Sequence, residues 1–256
     1  MTGTILFMRG ALVSMLWCLV VSSAHAQGHV DVLFYDVGGQ IATGATDFGP
    51  PLELIADVRV FPVLLDGGDV TNSPGFTAYQ EPPDGVALPD AAPIPFSIEP
   101  IPLLDGRTFS YWNGQGEVAF GAPPGGARLE IDPSGCFSCT SAFVDAYAAD
   151  VPDFPLGTTD ALGELHKHHD FKLRPGSGDL PPPGLYLVAL RASMESVLPS
   201  EPFFLLFSNN RVGAPVDAAS EWIETVLLPE PGALAQMLAA FAAIALSARA
   251  SRRRAS

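Results

Sequence analysis

The chain has 256 residues, with 28 acidic against 13 basic side chains and a formal charge of −15. So acidic a balance excludes nucleic acid as a partner and argues against direct docking on anionic lipid headgroups. Proline and glycine number 25 each and are scattered as turn punctuation without a period, which points to β structure and away from a low-complexity chain.

Taken in chain order, the first element is an export signal. Arg9 is a short basic n-region, residues 11–21 form an apolar h-region, and Ala24-His25-Ala26 is an A-x-A cleavage site. Residues 1–26 therefore read as a signal peptide, with cleavage between Ala26 and Gln27. Removing Arg9 and the four C-terminal arginines leaves eight basic residues against the 28 acidic ones, so the exported region carries about −20.

Residues 27–215 read as one domain, long enough for a sizeable core. Short runs with strand character recur at 29–36, 54–61, 94–98, 108–112, 117–120, 127–131, 163–173, 185–192 and 202–207. Turn signals separate them, among them Gly38-Gly39, Asp105-Gly106 and Asn113-Gly114, which allow the positive φ of tight hairpins. The proline-rich stretch 74–102 reads as a long loop or edge segment. This pattern predicts an all-β, single β-sandwich or jelly-roll-like domain. Residues 216–228 follow as a short helical or linker segment, with the helix expected over 217–227.

The chain ends in Pro229-Glu230-Pro231, an uncharged apolar stretch over 232–248, and a basic cluster, Arg249 and Arg252-Arg253-Arg254. At 17 residues the stretch is at the short end of the roughly 17–25 that span a bilayer as a helix. The arginines after it would stay cytoplasmic, leaving everything before it outside. A plain C-terminal anchor is one reading. The order of tripeptide, span and basic cluster over residues 229–256 also resembles the PEP-CTERM sorting signal of Gram-negative envelope proteins. That resemblance implies export across the inner membrane, transient anchoring, and processing by an exosortase-type enzyme that recognises Pro229, Glu230 and Pro231. It further implies a final address at the cell surface or in the extracellular matrix, with exopolysaccharide as a possible neighbour.

The histidines hint at chemistry. Beyond the signal peptide they fall at two places: His29, and His166, His168 and His169 in Leu165-His166-Lys167-His168-His169-Asp170-Phe171. On a strand His166 and His168 share a face, and two imidazoles at i and i+2 can chelate a divalent ion. His29 would add a third nitrogen, and Asp31, on the same face of its own strand, an oxygen. Zinc suits such a set; copper or nickel would also bind. The bland reading makes these exposed polar residues on a loop or strand, with His29 on a frayed N-terminus. Beside the metal reading, His169 and Asp170 read as outer supports or solvent-facing groups. Cys136 and Cys139 form a C-x-x-C pair that reads first as an oxidised turn staple. A half metal site, a redox pair, or a Cys2His2 site with His166 and His168 are its alternatives.

Three segments carry a second resemblance: His29-Val30-Asp31-Val32-Leu33-Phe34-Tyr35-Asp36, residues 163–171, and Pro183-Gly184-Leu185-Tyr186-Leu187-Val188-Ala189-Leu190. They are similar to a Zur-repressed family of PEP-CTERM proteins, which implies a role under zinc scarcity, such as zinc capture at the cell surface. His29, His166 and His168 fall within the matching segments; Cys136 and Cys139 do not.

Enzyme motifs are thin. Ser134-Gly135 and Ser177-Gly178 lack the G-x-S-x-G of a nucleophile elbow, and neither Gly38-Gly39 nor Gly125-Gly126 opens a nucleotide-binding fingerprint. The expectation is a non-enzymatic envelope or matrix protein that binds zinc or another divalent metal through His29, Asp31, His166 and His168. The alternative is an adhesin or carbohydrate-binding matrix protein without metal, using Tyr111 and Trp112 before Asn113-Gly114 as a stacking platform.

Overall fold

The computed structural model describes residues 29–65, 69–133, 140–147, 152–176 and 180–228. The signal peptide with its Ala26–Gln27 junction, the Cys136 and Cys139 pair, and the tail with Pro229, Glu230, Pro231, its 232–248 span and Arg252, Arg253 and Arg254 lie outside them.

The described chain is all-β with one short helix. Its strands are β1 (Val30–Val37), β2 (Gln40–Asp47), β3 (Glu53–Ala56), β4 (Val60–Leu65), β5 (Val70–Thr71), β6 (Phe76–Ala78), β7 (Pro93–Glu99) and β8 (Phe109–Trp112). They continue with β9 (Arg128–Asp132), β10 (Ala142–Val144), β11 (Phe154–Thr158), β12 (Leu165–Lys167), β13 (Asp170–Arg174), β14 (Gly184–Ala192) and β15 (Phe203–Asn209). Helix α1 (Ala214–Trp222) runs on into a wider π turn, Ile223–Leu227. Among the described residues no helix is long and apolar enough to cross a membrane.

Three sheets result. One has the order β12-β6-β1-β2-β3, a second β10-β9-β13-β5, and a third β11-β7-β14-β15-β4 with β8 also on β14. Pairing is antiparallel except β1 with β6 and β15 with β4. The sheets meet face to face over one core, in a sandwich-like arrangement. Phe34 and Phe76 come from the first sheet, Leu129, Ile131 and Phe171 from the second, and Phe96, Tyr186, Phe203 and Phe207 from the third. Aromatic contacts stitch the layers: Phe34 to Phe203 at 5.7 Å and Phe171 to Phe207 at 5.3 Å between ring centroids.

The third sheet is covered on its far side too. Leu185, Leu187, Phe204 and Leu206 face a second core closed by Trp112, Phe120, Ala219 and Ile223. That is why β14 and β15 read as near-continuous apolar runs rather than alternating ones. The segment expected as a helix or linker thus packs against the sheet, with Ala219 and Ile223 fully buried.

Several expected runs divide or change place. The run 54–61 splits at Asp57, whose φ of 58° ends β3; β3 stays in the first sheet and β4 joins the third. The run 163–173 breaks at His168–His169, so that β12 pairs with β6 while β13 pairs with β9. Residues 117–120 form no strand; Phe120 is instead buried in the second core. The stretch expected as loop or edge holds β6, interior to the first sheet, while the strand expected at 94–98 within it is β7, which lies between β11 and β14 rather than at an edge. Pro95 is tolerated there because it faces Pro155 beside a register shift. Strand β2 is unheralded in sequence, being rich in Ala, Gly and Thr. It is set by the two-residue turn Gly38-Gly39, both at positive φ, which pairs Val37 with Gln40.

Candidate metal centre

The centre lies at a corner where two neighbouring stretches of chain change sheets together. One passes from β5, paired with β13, to β6, paired with β1 and β12, through Asn72 and Gly75. The other passes from β12 to β13 through His168 and His169. Strand β1 starts beside them. Register places Asp31 opposite Thr46, Leu33 beside Thr77, and Thr77 opposite His166. With side chains alternating along each strand, Asp31 and His166 project from one face, and Val32, Phe34 and Phe76 from the core face.

Asp31 is fully buried. Its Oδ1 accepts the Gly75 amide at 2.7 Å and His29 Nδ1–H at 2.9 Å. Its buried Oδ2 receives no hydrogen bond. Facing that oxygen are His166 Nε2 at 3.3 Å and His168 Nε2 at 3.7 Å, and the two Nε2 atoms are 3.0 Å apart. His168 Nδ1 donates to the Asn72 carbonyl at 2.8 Å, so the neutral ring turns its Nε2 lone pair toward Asp31 and His166. Phe48 closes one flank: its ring stacks on His166 at 5.3 Å and 14°, and lies 4.6 Å from His29.

All four residues expected as ligands, His29, Asp31, His166 and His168, therefore converge. His29, Asp31 and His168 offer ligand atoms within 4.8 Å of one another and could hold a metal ion. His166 adds its Nε2 beside that of His168, on the Oδ2 side of Asp31. His169 departs from expectation. It is neither an outer support nor solvent-facing but 2% exposed, packed among Phe76, Phe96 and Phe154. Burial pushes its pKa down to about 4, against a hydrogen bond to the Leu156 backbone that favours the charged form. The sheet change at His168–His169 explains this: the same bend that aims His168 at Asp31 turns His169 into the core.

Sequence reasoning missed three contributors. Asn72 acts through its carbonyl, which no residue type signals. Gly75 lay inside the proline-rich stretch. There a Cβ would stand 2.4 Å from Asp31 Oδ2 and 2.6 Å from His168 Cε1, so only glycine fits. Phe48 carries no motif. The proposed stacking platform is not open: Trp112 is 5% exposed in the second core, its indole N–H bound to the Gln115 carbonyl, and Tyr111 donates to the Pro183 carbonyl.

Fold and centre together define an all-β protein with a buried carboxylate ringed by three imidazoles. Comparison with protein-family models, with curated proteins and with solved structures finds no match to this chain.

Proposed function

We propose that this is an exported, non-enzymatic protein of the bacterial envelope or extracellular matrix that binds one divalent cation, zinc by preference, through Asp31 and the histidines around it. The export half rests on the A-x-A site before Gln27 and on the PEP-CTERM-like tail, which an exosortase-type enzyme would process after membrane anchoring. The binding half rests on one observation: a fully buried carboxylate oxygen without a hydrogen bond faces two imidazole nitrogens at 3.3 and 3.7 Å. A buried, unsatisfied anionic oxygen costs several kcal/mol unless a cation or donor compensates it. Two nitrogens and an oxygen are donors that zinc accepts.

The test is native mass spectrometry of the untagged protein with added zinc. One equivalent bound by the wild type and lost in His166→Ala/His168→Ala supports the reading; an unchanged stoichiometry in the double variant refutes it.

A further inference from the structure

The hydrogen bonds around Asp31 sort the four candidate ligands into two groups. A carboxylate only accepts, so His29 Nδ1, at 2.9 Å from Oδ1, carries a proton there and cannot also ligate through that atom. Oδ1 is saturated by this bond and by the Gly75 amide. With Nδ1–H held on Asp31, His29 turns the lone pair of its Nε2 to the opposite edge of the ring, so the donor atoms that face one another at the corner are Asp31 Oδ2, His168 Nε2, and His166 Nε2 once its proton is displaced. Their mutual distances are 3.0, 3.3 and 3.7 Å. Ligands about 2.0–2.1 Å from a tetrahedral zinc are separated by about 3.3–3.4 Å. These three atoms therefore already outline one face of a tetrahedron. His29 could ligate through Nδ1 only by breaking the bond that holds Asp31.

The fourth corner is supplied by none of these three residues. A cleft of about 360 Å³ reaches His166, lined also by Tyr79, Thr158, Asp160, Glu164 and Lys167.

Resting on the metal-binding reading above, we propose that Asp31 Oδ2, His166 Nε2 and His168 Nε2 form an open three-ligand site. Its fourth position takes water or a small anionic oxygen or nitrogen donor from solvent, which reaches the partly exposed rings of His166 and His168. His29 is a positioning residue that orients Asp31 through Oδ1. One carboxylate leaves a bound divalent ion with net positive charge, which favours an anion at the free corner. Hydrogen-bonded carboxylate ligands with an outer support are the usual arrangement of such sites. An open corner also lets an incoming chelator take the ion, as a capture protein requires.

Cobalt(II) loaded into the protein in place of zinc reads the coordination by its visible d–d bands, with azide as the exogenous probe. The wild type is expected to bind one cobalt and to change its bands when azide is added. His29→Gln, which keeps a donor toward Asp31, is expected to keep both the bands and the azide response. His29→Ala is expected to keep the stoichiometry but bind about 10–100-fold more weakly, as loss of an outer support does. Bands insensitive to azide in the wild type, together with altered bands in His29→Gln, would show that His29 closes the fourth position and overturn the inference alone. A wild type that binds neither cobalt nor zinc would overturn the metal reading itself.

Discussion

The Gly75 amide donates to Asp31 Oδ1 at 2.7 Å, and a methyl group on Gly75 would stand 2.4 Å from Asp31 Oδ2. One residue thus both holds the carboxylate and leaves room for what its free oxygen meets. Gly75→Ala is expected to weaken zinc binding by about 10–100-fold, since the added carbon would displace Asp31 Oδ2 and the His168 ring from their present positions. Overpacking should also cost about 1–3 kcal/mol of stability. Isothermal titration with zinc and urea denaturation of the same variant measure the two effects. A variant with wild-type affinity would place the ion elsewhere.

Asp31→Asn separates stability from binding. The amide keeps an oxygen for the Gly75 N–H and puts an N–H₂ where Oδ2 faces His168 Nε2. It removes a buried charge whose second oxygen has no hydrogen bond. Without metal the variant is expected to be as stable as the wild type or more so, by about 1–2 kcal/mol. With excess zinc the order reverses, because the wild type alone gains binding energy. Melting temperatures with chelator and with zinc give the comparison.

His169 sets an acid limit on the metal-free fold. Its folded pKa of about 4 lies below the ordinary 6.5, because burial among Phe76, Phe96 and Phe154 disfavours the charged ring. The unfolded chain takes up this proton first as pH falls. The contribution is therefore fully present above pH 6.5 and is lost progressively from there down to about 4, by up to about 1.4 kcal/mol per pH unit. In chelator-treated protein, denaturant midpoints should fall over this window in the wild type, and less steeply in His169→Phe.

Helix α1 and its π turn complete the second core rather than only leading away from the domain. Ile223 is fully buried against the third sheet together with Ala219. Ile223→Ala is expected to cost about 2–4 kcal/mol in urea denaturation. An exposed position on the same turn, Glu224→Ala, should change stability by less than about 0.5 kcal/mol.

Strand character and turn chemistry were legible where residues decide locally. The apolar runs at β1, β7, β14 and β15 and the Gly38-Gly39 hairpin are examples. The ligands were legible because their spacing is local: His29 with Asp31, and His166 with His168. What brings the two pairs together is not local. It depends on β6 inserting between β1 and β12, and on two stretches changing sheets at one corner. No periodicity encodes this. His169 reads in sequence as a supporting or solvent-facing group, and the corner buries it instead, because a polar residue type does not signal core packing. The Asn72 carbonyl escaped because a backbone acceptor leaves no mark on residue type.

The central claim is most directly tested by anomalous diffraction at the zinc edge from crystals of the zinc-loaded protein. The account predicts a single strong peak, about 2.0–2.2 Å from Asp31 Oδ2, His166 Nε2 and His168 Nε2. Its fourth ligand would be a solvent or exogenous atom, with His29 still hydrogen-bonded to Asp31. A zinc-loaded crystal with no peak at this corner, or with its peak at Cys136 and Cys139, would contradict it.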